Sequence, residues 1–203
     1  MQALIFDIDG TLLHSSAEDD RLYRLAVEQV LGHVRFRDSL HDYDHVSDTG
    51  ILTQIFNDND VPLDPSLVDA VKSAFFAGIE EHLDAHGPFP EIPGAADYLR
   101  RIAESSHHDF AIATGGWRAS ARMKLQAAGL PIGSAPLASS DDAVERTDIM
   151  QHALSSLGAG YSSITYYGDG PWDQSASQAL GWRFIGVGRA IAGIDSYHGE
   201  SLE

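Results

Sequence analysis

Two aspartates, Asp7 and Asp9, close a short apolar segment near the start of the chain, where the sequence is LIFDIDGTLL. Gly10 follows them and allows both a tight turn and a close approach of the backbone to a ligand. The hydroxyl and the backbone N–H of Thr11 can each donate to an anion. The segment therefore predicts a binding site at the end of a strand, with carboxylates and anion donors side by side.

Other polar groups follow apolar segments further along the chain. Thr114 closes the segment FAIAT and is followed by Gly115 and Gly116. A hydroxyl beside the N–H groups of a helix N-terminus is a suitable site for a phosphate oxygen, although TGG is also an ordinary turn. Asp169 and Asp173 lie in the segment YYGDGPWD, where each could instead be a helix N-cap or a surface carboxylate.

The predicted strands and helices place these residues at one edge of a sheet. Short apolar runs predict strands at 3–8, 109–114, 163–168 and 182–188. Helical patterns lie between or after them, at 95–106, 117–130, 146–158 and 173–181. Alternating strands and helices predict an α/β fold with a doubly wound, mostly parallel sheet. In such sheets ligands bind outside the carboxyl ends of the strands, which is where the polar residues above are found.

The segment 15–88 does not follow this alternation. It is predicted to be helical at 17–32, 47–59 and 64–87, with linkers near 14–16 and 87–92. The simplest interpretation is a small helical module inserted over the sheet. The predicted domains are then an α/β core at 1–14 and 89–203, and a helical cap at 15–88.

The composition limits the classes of partner. The formal net charge of −17 and the pI of about 4.7 make nucleic acid and anionic membrane unfavourable partners. No apolar run approaches the ~20 residues of a membrane helix, and the first residues do not resemble a signal peptide, so a cytoplasmic location is expected. The chain has no cysteine, which excludes disulfides and thiolate chemistry. Oligomeric state is not indicated by the sequence.

The order of these motifs resembles the haloacid dehalogenase superfamily of phosphatases and phosphotransferases, in its phosphoglycolate-phosphatase-like branch. The resemblance rests on DIDGT at 7–11, Thr114, a basic residue at 146 before a helix, and GDGPWD at 168–173. A helical cap between the first two motifs also matches segment 15–88. The resemblance implies a Rossmann-like core with an inserted helical cap and extends over nearly the whole chain.

What the resemblance implies about chemistry is a phosphoryl transfer. Asp7 would be the nucleophile that forms a phospho-aspartate, and Asp9 the general acid and base. Asp7, Asp9, Asp169 and Asp173 would hold Mg²⁺, Asp9 through its backbone carbonyl. Two carboxylates would repel a phosphate monoester, so a divalent cation is required between them.

The remaining expectations concern the substrate, which would be a small phosphorylated metabolite. Its phosphate would contact Gly10, Thr11, Thr114 and Gly115. Asp48 and Thr49 of the cap would contact the rest of the substrate, unless Ser47 or Asp48 serves only as a helix cap.

The superfamily usually has a lysine at its third motif, where this chain has none. We predict that Arg146 supplies this charge, because Lys124 falls within the helix after Thr114, where a lysine usually faces solvent.

The sequence therefore predicts a Mg²⁺-dependent phosphatase. Asp9 argues against carbon–halogen or phosphonate cleavage, in which the family does not need that acid. A phosphomutase shares the same motifs and stays open as an alternative. A non-catalytic binding or regulatory protein of the same fold is the other alternative, supported by the missing lysine.

Overall fold

A computed structural model describes residues 1–188 and 191–202 of the chain. The predicted α/β class is confirmed, because helices flank a parallel sheet of six strands within these residues. The strands are β1 (Gln2–Phe6), β2 (His108–Ala113), β3 (Leu137–Ala138), β4 (Ser163–Gly168), β5 (Arg183–Val187) and β6 (Gly193–Ile194).

The α-helices in the described residues occupy most of the remaining chain. They are α1 (Ser16–Leu31), α2 (Asp48–Asp58), α3 (Pro65–His86), α4 (Ala95–Ala103), α5 (Arg118–Ala127), α6 (Arg146–Leu157) and α7 (Pro171–Leu180), with a 3₁₀ turn at Leu40–Asp42. Along the part of the chain that the structure describes, no helix combines the length and apolar character needed to cross a bilayer.

The strand order β3-β2-β1-β4-β5-β6 places β1 in the centre of the sheet. Phe6, the last residue of β1, is in register with Ile112 of β2 and Tyr167 of β4. The next residue, Asp7, therefore emerges beside the ends of both neighbouring strands. This order reverses direction at β1, the topological position where doubly wound sheets bind ligands.

Predicted and observed elements agree to within a few residues, apart from two strands that the sequence did not indicate. Both β3 and β6 contain only two residues, too few for an apolar pattern. Helix α7 begins at Pro171, before the predicted residue 173, because proline suits a first helical turn whose N–H groups are unpaired.

Helices α1 to α3 form the predicted insertion between β1 and α4. The segments that lead into and out of this insertion lie side by side, since the His14 N–H donates to the Pro90 carbonyl at 2.8 Å. The rings of Tyr23 and Phe75 lie 5.5 and 5.7 Å from that of Trp117, just before α5, within one buried apolar cluster that reaches Phe6. The insertion thus packs directly on the α/β part, and its division into a separate domain stays a prediction.

Candidate active site

Three aspartates converge at the carboxyl edge of the sheet. Asp7 follows β1, Asp169 follows β4, and Asp173 lies in the first turn of α7. One carboxylate oxygen from each lies within 4.8 Å of the others. Parallel strands bring Asp7 and Asp169 together, and the turn into α7 adds Asp173.

Arg146, the first residue of α6, reaches this acid cluster from the side. Its Nη1 lies 3.6 Å from Asp7 Oδ1 and its Nε lies 3.4 Å from Asp173 Oδ1. The Nη2 group donates to the Val46 carbonyl at 3.0 Å. A side chain on Gly115 would crowd that guanidinium, since a Cβ there would lie 2.7 Å from Nη2. The structure therefore places the guanidinium of Arg146, and not Lys124, beside Asp7.

The charge of the acid cluster is not balanced by Arg146 alone. Burial raises the pKa of Asp7 well above its usual range, although Arg146 lowers it. Burial, with the charges of Asp173 and Asp9, raises the pKa of Asp169 to about 7. Burial also raises the pKa of Asp173, again against Arg146. Asp7 and Asp173 are buried and Asp169 is half-buried, and all three have raised pKa values. Such a set of carboxylate oxygens is one that a hard divalent cation would stabilise, so these residues fit Mg²⁺.

The expectation that Lys124 faces solvent is wrong. Its side chain is 1% exposed, and its Nζ lies 2.6 and 2.7 Å from the two carboxylate oxygens of Asp9. The same ammonium lies 2.5 Å from Asp19 Oδ1 on α1. Helix α5 turns Lys124 inward because Ala121 and Leu125 beside it are buried on the same face. The carboxylate of Asp9 is thus held by Lys124, apart from the acid cluster.

Of the predicted phosphate donors, Thr114 and Gly115 border the cavity at this edge, whereas Gly10 and Thr11 are not among the described residues that line it. Thr114 is buried and its Oγ1 accepts from the Gly116 N–H at 3.1 Å. The Thr11 hydroxyl is fully buried and has no hydrogen-bond partner among the residues described. Gly10 adopts φ of 77°, and a Cβ there would overlap the Asp169 carboxylate. Glycine is required at this position both for its backbone conformation and for space.

The two predicted substrate contacts of the insertion have different positions. Asp48 borders a cavity above the acid cluster, and its Oδ2 accepts from the Trp117 N–H at 2.8 Å. The Thr49 hydroxyl instead donates to the Ser140 carbonyl and accepts from the Trp117 indole N–H, each at 3.0 Å. Thr49 is not among the described residues that line the cavity, so a contact with substrate has no support here. Ser47 caps α2 by accepting from the Gly50 N–H at 3.3 Å, as one alternative predicted.

The cavity has a volume of about 160 Å³ and lies between the sheet edge and the insertion. Asp7, Asp9, Thr114, Arg146 and Asp169 border it from the α/β part.

Ser15 and Ser16, which lie in the predicted linker at 14–16, both contact site residues. The Ser15 hydroxyl donates to Asp9 at 2.5 Å and the Ser16 hydroxyl to Asp169 at 3.5 Å. Their position, four and five residues after Thr11, is the sequence signal that indicates this contact.

Fold and site together define a protein of the α/β class with an acidic site at the carboxyl edge of its sheet. The chain belongs to the haloacid dehalogenase-like hydrolase family, whose model matches residues 1–181. No curated protein sequence gives a significant match.

Solved structures share the fold at low sequence identity. A family IA, variant 3 hydrolase from Entamoeba histolytica has a TM-score of 0.72 at 15% identity, covering 100% of this chain and 96% of its own. CbbY from Rhodobacter sphaeroides, in complex with phosphate, has a TM-score of 0.67 at 21% identity, covering 98% and 90%. A putative phosphoglycolate phosphatase from Lactobacillus plantarum has a TM-score of 0.61 at 20% identity, covering 90% and 84%.

Proposed function

We propose that this hydrolase is a Mg²⁺-dependent phosphatase that acts on a small phosphate monoester through a phospho-aspartate on Asp7. The observation that carries the proposal is the convergence of Asp7, Asp169 and Asp173 within 4.8 Å, with Arg146 3.6 Å from Asp7. The similarly folded CbbY was solved with phosphate, which agrees with this class of ligand. A cytoplasmic location stays a prediction.

The chemistry that these residues can perform has two steps. A carboxylate oxygen of Asp7 attacks phosphorus, the bond from phosphorus to the leaving alcohol oxygen breaks, and Asp9 gives that oxygen a proton. Water then attacks phosphorus and gives a proton to Asp9, while the bond to Asp7 breaks and inorganic phosphate leaves. Because Lys124 and Ser15 hold the Asp9 carboxylate, Asp9 must turn from Lys124 toward the leaving oxygen.

Two cations would stabilise this reaction. The Arg146 guanidinium is close enough to Asp7 to offset charge on the transferred group. Mg²⁺ held by Asp7, Asp169, Asp173 and the Asp9 carbonyl would supply positive charge against the phosphate. Thr114, the backbone of Gly115 and the Thr11 hydroxyl would bind the phosphate oxygens. The Gly10 N–H is already used, since it donates to the Leu13 carbonyl at 2.8 Å.

The test is hydrolysis of p-nitrophenyl phosphate by the intact chain with Mg²⁺ or with EDTA. We expect phosphate release only with Mg²⁺, and a loss of at least about a thousandfold in kcat for Asp7→Asn, because the nucleophile is removed. Asp69→Asn is the matched control, since Asp69 is an exposed carboxylate on α3. Full activity of Asp7→Asn would contradict the proposal.

Two other results would identify the alternatives. Isomerisation of a sugar phosphate that depends on a bisphosphate activator, without net release of phosphate, would make the protein a phosphomutase. Binding of phosphate esters with no turnover across a broad panel would make it a binding protein.

A further inference from the structure

The insertion contributes acidic and aromatic side chains to the cavity beside the acid cluster. The acids are Asp19 and Asp20 of α1 and Asp48 of α2. The aromatic residues include Tyr23, Phe36 and Tyr43. This part of the wall would contact whatever group is attached to the phosphate of a substrate.

Basic groups near this wall are already paired. The Arg24 Nε lies 2.9 Å from Asp20 Oδ2, and its guanidinium lies 4.8 Å from the centre of the Phe36 ring. Arg146 lies against Asp7, on the phosphate side of the cavity. Among the described residues that line the cavity, these two arginines are the basic ones. A second anionic group on the substrate would therefore meet carboxylates without a free cation.

Asp48 provides the clearest demand for positive charge. It is 9% exposed and borders the cavity, and only its Oδ2 accepts a hydrogen bond, from the Trp117 N–H. Its Oδ1 accepts no hydrogen bond from residues 1–188 or 191–202. Burial, followed by the charge of Asp19, raises the pKa of Asp48 well above its usual range, although the charge of Lys124 and the Trp117 N–H lower it. A buried carboxylate with one free oxygen is stabilised by a cationic donor within hydrogen-bond distance of that oxygen.

Lys124 meets this demand only in part, because its charge lowers the pKa of Asp48 but its ammonium donates to Asp9 and Asp19 instead. Its one ammonium is shared between Asp9 and Asp19, at 2.6 and 2.5 Å. Burial and the charge of Asp9 raise the pKa of Asp19 to about 6, so Lys124 only partly offsets them. Negative charge on this side of the cavity therefore exceeds the positive charge.

We propose that the cavity accepts a leaving group that carries a protonated amine, so that the substrate is the phosphate ester of a small amino alcohol. The inference rests on the proposed phosphatase function and specifies its substrate class. An ammonium group would donate to Asp48 and lie near aromatic faces, which attract cations. A leaving group of a few heavy atoms fits the volume of about 160 Å³.

The test is a series of three substrates of nearly equal size that differ in one terminal group. They are O-phosphoethanolamine, 2-hydroxyethyl phosphate and phosphoglycolate, with cationic, neutral and anionic leaving groups. With Mg²⁺ present, we expect kcat/KM to fall at least about tenfold at each step, the factor given by ~1.4 kcal/mol of differential binding. Equal values, or a preference for phosphoglycolate, would overturn the proposal.

Two variants test the residues. Asp48→Asn should reduce the preference for O-phosphoethanolamine over 2-hydroxyethyl phosphate by about tenfold, because a neutral amide replaces the charge. Asp20→Asn should release Arg24 and raise kcat/KM for phosphoglycolate relative to the other two substrates. Asp69→Asn should leave every ratio unchanged.

The two proposals fail in different ways. Hydrolysis of p-nitrophenyl phosphate with no preference for the cationic ester would overturn the substrate class alone. No hydrolysis of p-nitrophenyl phosphate or of the three esters would overturn both.

Discussion

At the scale of single residues, Gly10 limits the geometry of the site. Its φ of 77° and the Asp169 carboxylate, which occupies the space of a would-be Cβ, both require glycine. A substitution here therefore acts on a side chain 159 positions away in the sequence. The DIDGT motif links a backbone turn directly to the acid cluster.

Gly10→Ala should move Asp169 and reduce kcat with Mg²⁺ by at least about a hundredfold, because a small displacement of the reacting groups strongly lowers the rate. The added methyl group would also raise the Mg²⁺ concentration that gives half-maximal activity. The measurement is the initial rate of p-nitrophenyl phosphate hydrolysis over a Mg²⁺ titration.

Gly129→Ala is the matched control for this prediction. Gly129 also has a positive φ, of 65°, but a Cβ there would meet nothing within 4 Å. It introduces similar backbone strain with no clash, so its activity should be close to that of the unchanged protein. Equal activity losses in the two variants would contradict the role of Gly10 in positioning Asp169.

At the scale of elements, Lys124 connects α5 to both the β1 loop and α1. Its buried ammonium contacts Asp9, which follows β1, and Asp19, which lies in the first turn of α1. Lys124→Met would leave these carboxylates without their cation. We expect a loss of about 3–5 kcal/mol in the free energy of unfolding, measured by urea denaturation.

The chain offers matched controls for this variant. Lys72→Met removes an ion pair with Asp141 in which the Lys72 side chain is 24% exposed. This variant should lower the free energy of unfolding by about 1 kcal/mol or less. The double variant Asp19→Asn/Lys124→Met should recover part of the loss, because one unpaired carboxylate is removed. A loss for Lys124→Met no larger than that for Lys72→Met would contradict the structural role of the buried ammonium.

For the molecule as a whole, the sequence predicts the position of a residue best where the strand topology determines that position. Asp7, Thr114 and Asp169 were predicted to meet because each ends an apolar strand, and parallel strands end at one edge. The prediction that Lys124 faces solvent is wrong because the direction of its side chain depends on how α5 packs. The general tendency of lysines to be exposed contains no information about that packing. The contacts of Thr49, Ser15 and Ser16 likewise depend on how the insertion packs on the sheet, which the sequence pattern does not indicate.

Because one buried cluster joins the insertion to the sheet, we expect the whole chain to unfold in a single transition. Mg²⁺ should stabilise that single native state, since the acid cluster forms only when β1, β4 and α7 are assembled. At a Mg²⁺ concentration 100 times its Kd the gain is about 2.7 kcal/mol, which corresponds to a rise in Tm of roughly 5–10 °C.

Thermal unfolding followed by circular dichroism, with Mg²⁺ or with EDTA, measures this shift. Asp169→Asn should remove most of it, because it takes away one carboxylate of the acid cluster, whereas Asp69→Asn should keep it. The same Tm with Mg²⁺ and EDTA would argue against a metal at the cluster. Two separate transitions, of which only one responds to Mg²⁺, would instead show that the insertion folds independently, since the cluster lies wholly in the α/β part.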